Sequence, residues 1–221
     1  MVTAEVSFSK EELVGSLTPQ NPLHLFGVSW ADYEKIAEEF GESNPFHITF
    51  NKGILIIMPV TEIHELLISL IERFMTIVSL VERINIVPTG KATMQSKQRD
   101  IAAEPDASYF VANAAAHRIK NYVPKEIELA PDIVVEVDIH HPSGDKFEIY
   151  AEFGVPEFWQ YDGERLKIFK LQETGEYAEI ENSEQIPILT GAILTEFLKR
   201  GLDKDQFTVL SEFQNQLQEN K

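Results

Sequence analysis

The run Pro131-Asp132-Ile133-Val134-Val135-Glu136-Val137-Asp138 sets a carboxylate inside a β-branched segment, and Lys146 follows it across His140-His141-Pro142-Ser143-Gly144-Asp145. Such a segment reads as a buried strand. An ionised carboxylate buried there is costly unless a cation, a proton or hydrogen bonds compensate it. Glu136 therefore needs a partner. Alternation puts Ile133, Val135 and Val137 on one face and Asp132, Val134, Glu136 and Asp138 on the other. One face is core; the other carries three acids. At about 3.3 Å per residue, Asp132 and Glu136 lie roughly 13 Å apart, too far to share a metal ion, whereas Asp138 is about 6.6 Å from Glu136. Asp132 reads as a strand-start residue.

The flanking chain supplies the neighbours. Ser143 is predicted to cap a helix running to Phe153, with Gly154 at its end and Pro156 just beyond. Lys146 falls in the first turn, the wrong end of the helix dipole for a cation by roughly 0.3 to 1 kcal/mol, so another group compensates it. It shares a face with Tyr150. The strand Val155–Tyr161 follows, and strand, helix, strand implies a right-handed parallel crossover. Upstream, Ala103-Glu104-Pro105-Asp106 through Val111 reads as one strand with Asp106, Ser108 and Phe110 on a common face.

Earlier still, Thr61 caps a helix to about Glu82, with Leu66, Leu67, Leu70, Ile71, Phe74, Ile77 and Val78 recurring at three and four. Glu62 and Glu65 fall in its first turn, where the dipole favours acids. Glu65 is either that or part of a metal site, and His64 reads as a structural histidine. Residues 1 to 29 suggest an irregular arm, a helix runs from Ser29 or Trp30 to Phe40, and His47–Phe50 with Ile54–Met58 form a hairpin. Ile84–Pro88 and Lys91–Ser96 are strand material, and Lys91, Lys97 and Arg99 read as a solvated cationic loop. After Tyr161, turns at Asp162-Gly163 and Gly175 frame an antiparallel meander. Helices over about 192–200 and 206–218 close the chain, the second with Phe207, Leu210, Phe213 and Leu217 as a stripe that covers the domain or a second copy. The organisation is an arm and helix over 1–44, a main domain over 45–201 and a helical tail over 202–221.

The chain has 221 residues, enough for one domain with accessories. It has no cysteine, which removes disulfides, thiolate nucleophiles and cysteine-ligated zinc. Neither a leader pattern nor a membrane-spanning run stands out, so the expected location is cytoplasmic. A formal charge of −17 disfavours long-range attraction to nucleic acid but not a local cationic cleft or a bound metal. No Gly-x-Ser-x-Gly elbow or glycine-rich phosphate loop is present, and the adjacent His140-His141 lacks the spacing of zinc ligands. A carboxylate-pair sugar hydrolase would need an aromatic platform, for which only Trp159 offers itself.

The element order puts Asp106 and Glu136 on consecutive sheet strands. Two convergent carboxylates suit a hard divalent cation such as Mg²⁺ or Mn²⁺, and a nearby lysine makes the set suited to phosphodiester chemistry. Here the sequence resembles the Uma-type restriction endonuclease family of the PD-(D/E)XK nuclease superfamily, over roughly residues 45 to 200. The resemblance rests on His64-Glu65, Glu104-Pro105-Asp106 with Tyr109, Pro131 to Asp138, His141-Pro142-Ser143, Asp145-Lys146, Tyr150, Gly154-Val155-Pro156-Glu157-Phe158-Trp159 and Tyr161-Asp162-Gly163. It implies a restriction-endonuclease-like α/β fold, a mixed central sheet flanked by helices with an added meander. It also implies a Mg²⁺-dependent endonuclease that hydrolyses DNA through a metal-activated water, acting as a homodimer. Carried over, Asp106 and Glu136 are metal ligands, Lys146 the catalytic lysine and Glu65 an auxiliary acid. The superfamily places its lysine two residues after the acid; here that position is Asp138, and Lys146 must reach in from the helix. The alternative reading is a non-catalytic dimerising or nucleic-acid-binding module that keeps the fold.

Overall fold

The computed structural model describes residues 17–18, 21–41, 46–115, 129–139 and 144–219, without the side chains of 144 and 145. The expected Ser143 cap, the His140-His141 pair and the basic residues His117, Arg118 and Lys120 lie outside the described residues. Among the described residues, two sheets and five helices give a mixed α/β architecture. The first sheet runs β1 (Leu23–Phe26), β3 (Ile54–Pro59), β2 (Phe46–Asn51), β6 (Ile101–Ala103), β5 (Met94–Ser96), antiparallel throughout. The second runs β11 (Tyr177–Ile180), β10 (Leu166–Leu171), β9 (Glu157–Tyr161), β8 (Ile133–Val137), β7 (Ala107–Phe110), β4 (Val87–Pro88). It is mixed because β8 and β9, joined through a helix, are parallel. The β9, β10, β11 meander is antiparallel, as its turns require.

The helices are α1 (Trp30–Phe40), α2 (Glu62–Glu82), α3 (Gly144–Phe153), α4 (Gly191–Asp203) and α5 (Gln206–Glu219). Among these, no helix is long and apolar enough to cross a membrane. The Thr61 cap forms as expected, its side chain accepting from the His64 amide, and Ser29, where the first helix was expected to open, caps it by accepting from the Asp32 amide. All five residues of β8 are buried. Ile133, Val135 and Val137 pack with Leu67, Phe74 and Phe197 of α2 and α4, whereas Val134 packs with Ile149 and Tyr150 of α3 and with Met94, Ile101 and Ala103 of the first sheet. The face that carries Glu136 thus looks into the seam between α3 and the first sheet.

Three expectations need correction. Leu23–Phe26, read as part of an irregular arm, is an edge strand on β3, with Leu23 and Leu25 half-buried and His24 and Phe26 exposed. Its period-2 pattern is only four residues long. The single strand expected from Ala103 to Val111 is two strands in different sheets, because Pro105 has no amide to donate and breaks the ladder. Glu104 beside it accepts the Ile48 amide at 3.3 Å, helping to stitch the crossing to β2. In α5, Phe207 is 81% exposed and Val209 joins Phe213 and Leu217 in the buried row, since a step of four starts at Val209. That row packs on Phe74 and Phe197, with ring centroids 4.5 and 5.1 Å from Phe213, so the stripe covers its own domain.

The turn after β9 carries a measurable charge. Asp162 accepts the amides of Glu164 at 3.0 Å and Arg165 at 2.8 Å, and the Lys167 ammonium at 2.8 Å. Partial burial works against its charge, yet Lys167 and the two amides hold it down at about 2, below its ordinary 3.8. A carboxylate depressed in the folded state adds stability above its unfolded pKa, and that stability is lost as pH falls through the folded value. With the side chain a third exposed, solvent screening reduces the contribution to about 1 kcal/mol. Asp162→Asn is expected to lose about that much at pH 7 and nothing near pH 2, read by urea denaturation across that range. A pH-independent difference would contradict this account.

Candidate active site

The register of β7 on β8 pairs Ala107 with Val135 and Ser108 with Val134, so one further step sets Asp106 opposite Glu136. Directly opposed residues share a face and hold their Cβ atoms about 5 Å apart. Both acids are buried, Asp106 at 3% and Glu136 at 0% exposure. Asp106 Oδ2 accepts the Val137 amide at 2.7 Å and meets His64 Nε2 at 2.9 Å. Glu136 Oε2 accepts Lys146 Nζ at 2.5 Å, and its Oε1 accepts the Tyr150 hydroxyl. Lys146 and Tyr150 stand one turn apart on α3, so a single helix face closes over Glu136. The acid and the lysine that each needed a partner are partners of one another.

Charge is distributed unevenly over this cluster. Burial pushes Glu136 well above the usual carboxylate range; Lys146 pulls it back, while Asp106 and Asp138 push it further up. Burial would also raise Asp106, but the His64 hydrogen bond and the Lys146 charge outweigh it and hold Asp106 below its ordinary value. For Lys146, burial works to lower its pKa, yet Glu136, Asp138 and Asp106 raise it above its ordinary value. Two opposed acids pushed in opposite directions, with an ammonium locked between carboxylates, form an arrangement typical of functional sites. His47, 5% exposed with Nδ1 3.5 Å from Asp106 Oδ1, is pushed down by burial to about 4.

The remaining acids sort by their contacts. Asp138, on the Glu136 face, accepts Gln160 Nε2 at 3.0 Å; burial raises it and Lys146 opposes that. Asp132 accepts the Val111 and Asn113 amides at 2.7 and 2.9 Å and the Asn113 side chain, which makes it the strand-start residue that its spacing implied. Glu65, half-exposed on the first turn of α2, is ion-paired with Lys91 at the rim. Lys97 lies 3.7 Å from Glu34, and Arg99 donates to the Glu152 carbonyl, so the cationic loop is tied to its surroundings.

The structure thus brings Asp106, Glu136 and Lys146 together and leaves Glu65 at the edge, its neighbour His64 touching Asp106. Sequence reasoning missed His47, the clamp from Tyr150 and the contact of His64 with Asp106. Lys146 and Tyr150 share a helical face in the sequence, which was the available signal for the clamp. Nothing local marks His47, a half-strand histidine in a hairpin remote from Asp106 in the chain.

As for a hard divalent cation, the donor chemistry of Asp106 and Glu136 fits: two carboxylates on one face, one of them fully buried and crowded by like charges that a cation would relieve.

The comparisons agree with this architecture. A solved structure titled "putative nuclease belonging to DUF820", from Anabaena variabilis, matches with a TM-score of 0.55 at 16% identity, over 77% of this chain and 99% of that chain. At that identity the likeness establishes the fold, which is restriction-endonuclease-like. No curated protein matches. The model of the Uma2 family, described as "Putative restriction endonuclease", matches residues 30–199, from the first residue of α1 almost to the end of α4. The chain belongs to the Uma2 family.

Proposed function

We propose that the protein is a Mg²⁺- or Mn²⁺-dependent endonuclease that hydrolyses phosphodiester bonds of DNA, with Asp106 and Glu136 as the cation's ligands, Lys146 as the catalytic lysine and Glu65 as an auxiliary acid. The observation that carries the reading is the opposition of Asp106 and Glu136 across β7 and β8, with Lys146 reaching Glu136 from α3. A divalent cation at the two carboxylates supplies charge neutralisation for the phosphate and lowers the pKa of water.

The chain's own groups divide the remaining work. Asp106 is kept ionised and aimed by the Val137 amide and His64. Tyr150 fixes the rotamer of Glu136 from the side opposite Lys146. Because Lys146 is held above its ordinary pKa, it stays an ammonium through neutral pH; it serves as a positive charge and hydrogen-bond donor toward the scissile phosphate, not as a proton acceptor. Glu65 and Lys91 form the rim past which a phosphate backbone would enter. With a net charge of −17, DNA must be held by such local contacts rather than by long-range steering.

Supercoiled plasmid is the test substrate. Wild type with Mg²⁺ or Mn²⁺ is expected to nick or linearise it, and Asp106→Asn and Glu136→Gln to lose at least about a hundredfold in rate, the cost of removing charge stabilisation at a reacting centre. Cleavage that survives both substitutions, or that proceeds in EDTA, would exclude the reading. A wild type that folds, binds no Mg²⁺ by calorimetry and never cuts would instead identify a non-catalytic module on this fold.

A further inference from the structure

We propose a second metal site, beside the Asp106–Glu136 pair and touching it through Asp106, in which His47, His64 and Glu65 hold a borderline transition-metal ion of the Zn²⁺, Fe²⁺ or Co²⁺ class. One ligand atom from each of the three lies within 4.8 Å of the others. His47 and His64 are 5% and 6% exposed, and the Nδ1 atoms of both rings are buried without a hydrogen-bond partner. Each has a carboxylate oxygen nearby but beyond bonding reach, Asp106 Oδ1 at 3.5 Å from His47 and Glu65 Oε1 at 3.7 Å from His64, and buried ring nitrogens left without a hydrogen bond are uncommon enough to point to a partner such as an ion.

Neighbouring groups fix which nitrogen of His64 is free. Its Nε2 lies 2.9 Å from Asp106 Oδ2, and a carboxylate oxygen accepts, so Nε2 is the nitrogen that donates. That leaves a lone pair on Nδ1, which lies 3.7 Å from Glu65 Oε1. A ligating imidazole characteristically donates its second N–H to a carboxylate, which orients the ring and raises its basicity; Asp106 already stands in that relation to His64. It is therefore a positioning residue for this site as well as a ligand candidate for the other.

Donor type selects the ion. Two imidazoles with one carboxylate suit Zn²⁺ and its neighbours in the first transition row, whereas Mg²⁺ prefers oxygen throughout. Three protein ligands leave coordination positions open to water or to a phosphate oxygen, as in catalytic rather than structural sites. Access is provided by Glu65, which is half-exposed. Among the described residues its cationic partner is Lys91, and an exposed ion pair of that kind is too weak to keep a metal ion out.

The test uses metal-stripped, full-length protein titrated with Co²⁺ alone, read by its visible absorption. Wild type and Glu136→Gln are both expected to show, with or without millimolar Mg²⁺, the intense bands that one Co²⁺ per chain gives in a low-coordinate nitrogen–oxygen site. Glu65→Gln, at a half-exposed position where folding is not at stake, is expected to weaken binding at least tenfold, and His47→Gln more. No Co²⁺ spectrum in wild type, an unchanged affinity in Glu65→Gln, or a spectrum lost in Glu136→Gln would each overturn the proposal. Because Glu136→Gln is expected to abolish Mg²⁺-dependent cleavage while keeping Co²⁺, failure of this site and failure of the hydrolytic reading give different results.

Discussion

Lys146→Met is expected to destabilise the protein by about 3 to 5 kcal/mol at pH 7 to 8, the cost of leaving one member of a buried ion pair without its counterion. For a chain of this size that is a fall in melting temperature of roughly 10 °C. The deficit should depend on pH. Glu136 is already pushed above its ordinary range by burial and by Asp106 and Asp138, and loss of Lys146 removes the main opposing charge. A carboxyl whose folded pKa is raised stabilises the folded state below its unfolded value, and that advantage is lost as pH rises through the folded one. So Lys146→Met should come closer to wild type near pH 5 and fall further behind near pH 8. Adding Glu136→Gln should recover most of the loss, because a neutral amide needs no cation and still accepts the Tyr150 hydroxyl. Guanidinium denaturation of the two single variants and the double closes the cycle. If Lys146→Met matches wild type across this range, the pair is not what holds α3 to β8.

Much of this arrangement was legible in the sequence. A β-branched strand with one acid inside declares that a compensating group exists, and the period of the following helix puts Lys146 and Tyr150 on one side. What could not be read was the crossing at Glu104-Pro105-Asp106. Proline forbids a ladder bond, but only the pairing partners reveal that β6 and β7 belong to different sheets. His47 was invisible for the same reason: its position beside Asp106 depends on how the first sheet docks against the second, which no local pattern encodes. The exposed Phe207 shows the converse failure, where a hydrophobic residue near the right spacing was placed on a face that a four-residue step excludes.

The other large effect lies on the far side of the same sheet. Glu157 is 1% exposed, but in β9 it shares a face with Trp159 and Tyr161, the face turned to α2 and α4, so it cannot join Glu136. Its carboxylate accepts Trp159 Nε1 at 2.9 Å, Ser183 Oγ at 2.8 Å, and the amides of Glu184 and Gln185 at 2.6 and 2.9 Å. Four donors converge on one group, pinning the 183–186 loop to the first residue of β9. Glu157→Ala is expected to cost about 4 kcal/mol or more, since it leaves several buried donors unsatisfied at about 1 to 3 kcal/mol each, less whatever water can enter. Glu157→Gln should fall between the two: its carbonyl oxygen can still accept, but its amino group points donors at donors. Neither change should alter plasmid cleavage per folded molecule, because the site faces the opposite side of the sheet. Chemical denaturation followed by tryptophan fluorescence, which includes Trp159 beside the substitution, supplies the stability measurement. A loss under 1 kcal/mol in Glu157→Ala would mean that the loop is held by its apolar contacts at Ile186 and Leu189 rather than by the carboxylate.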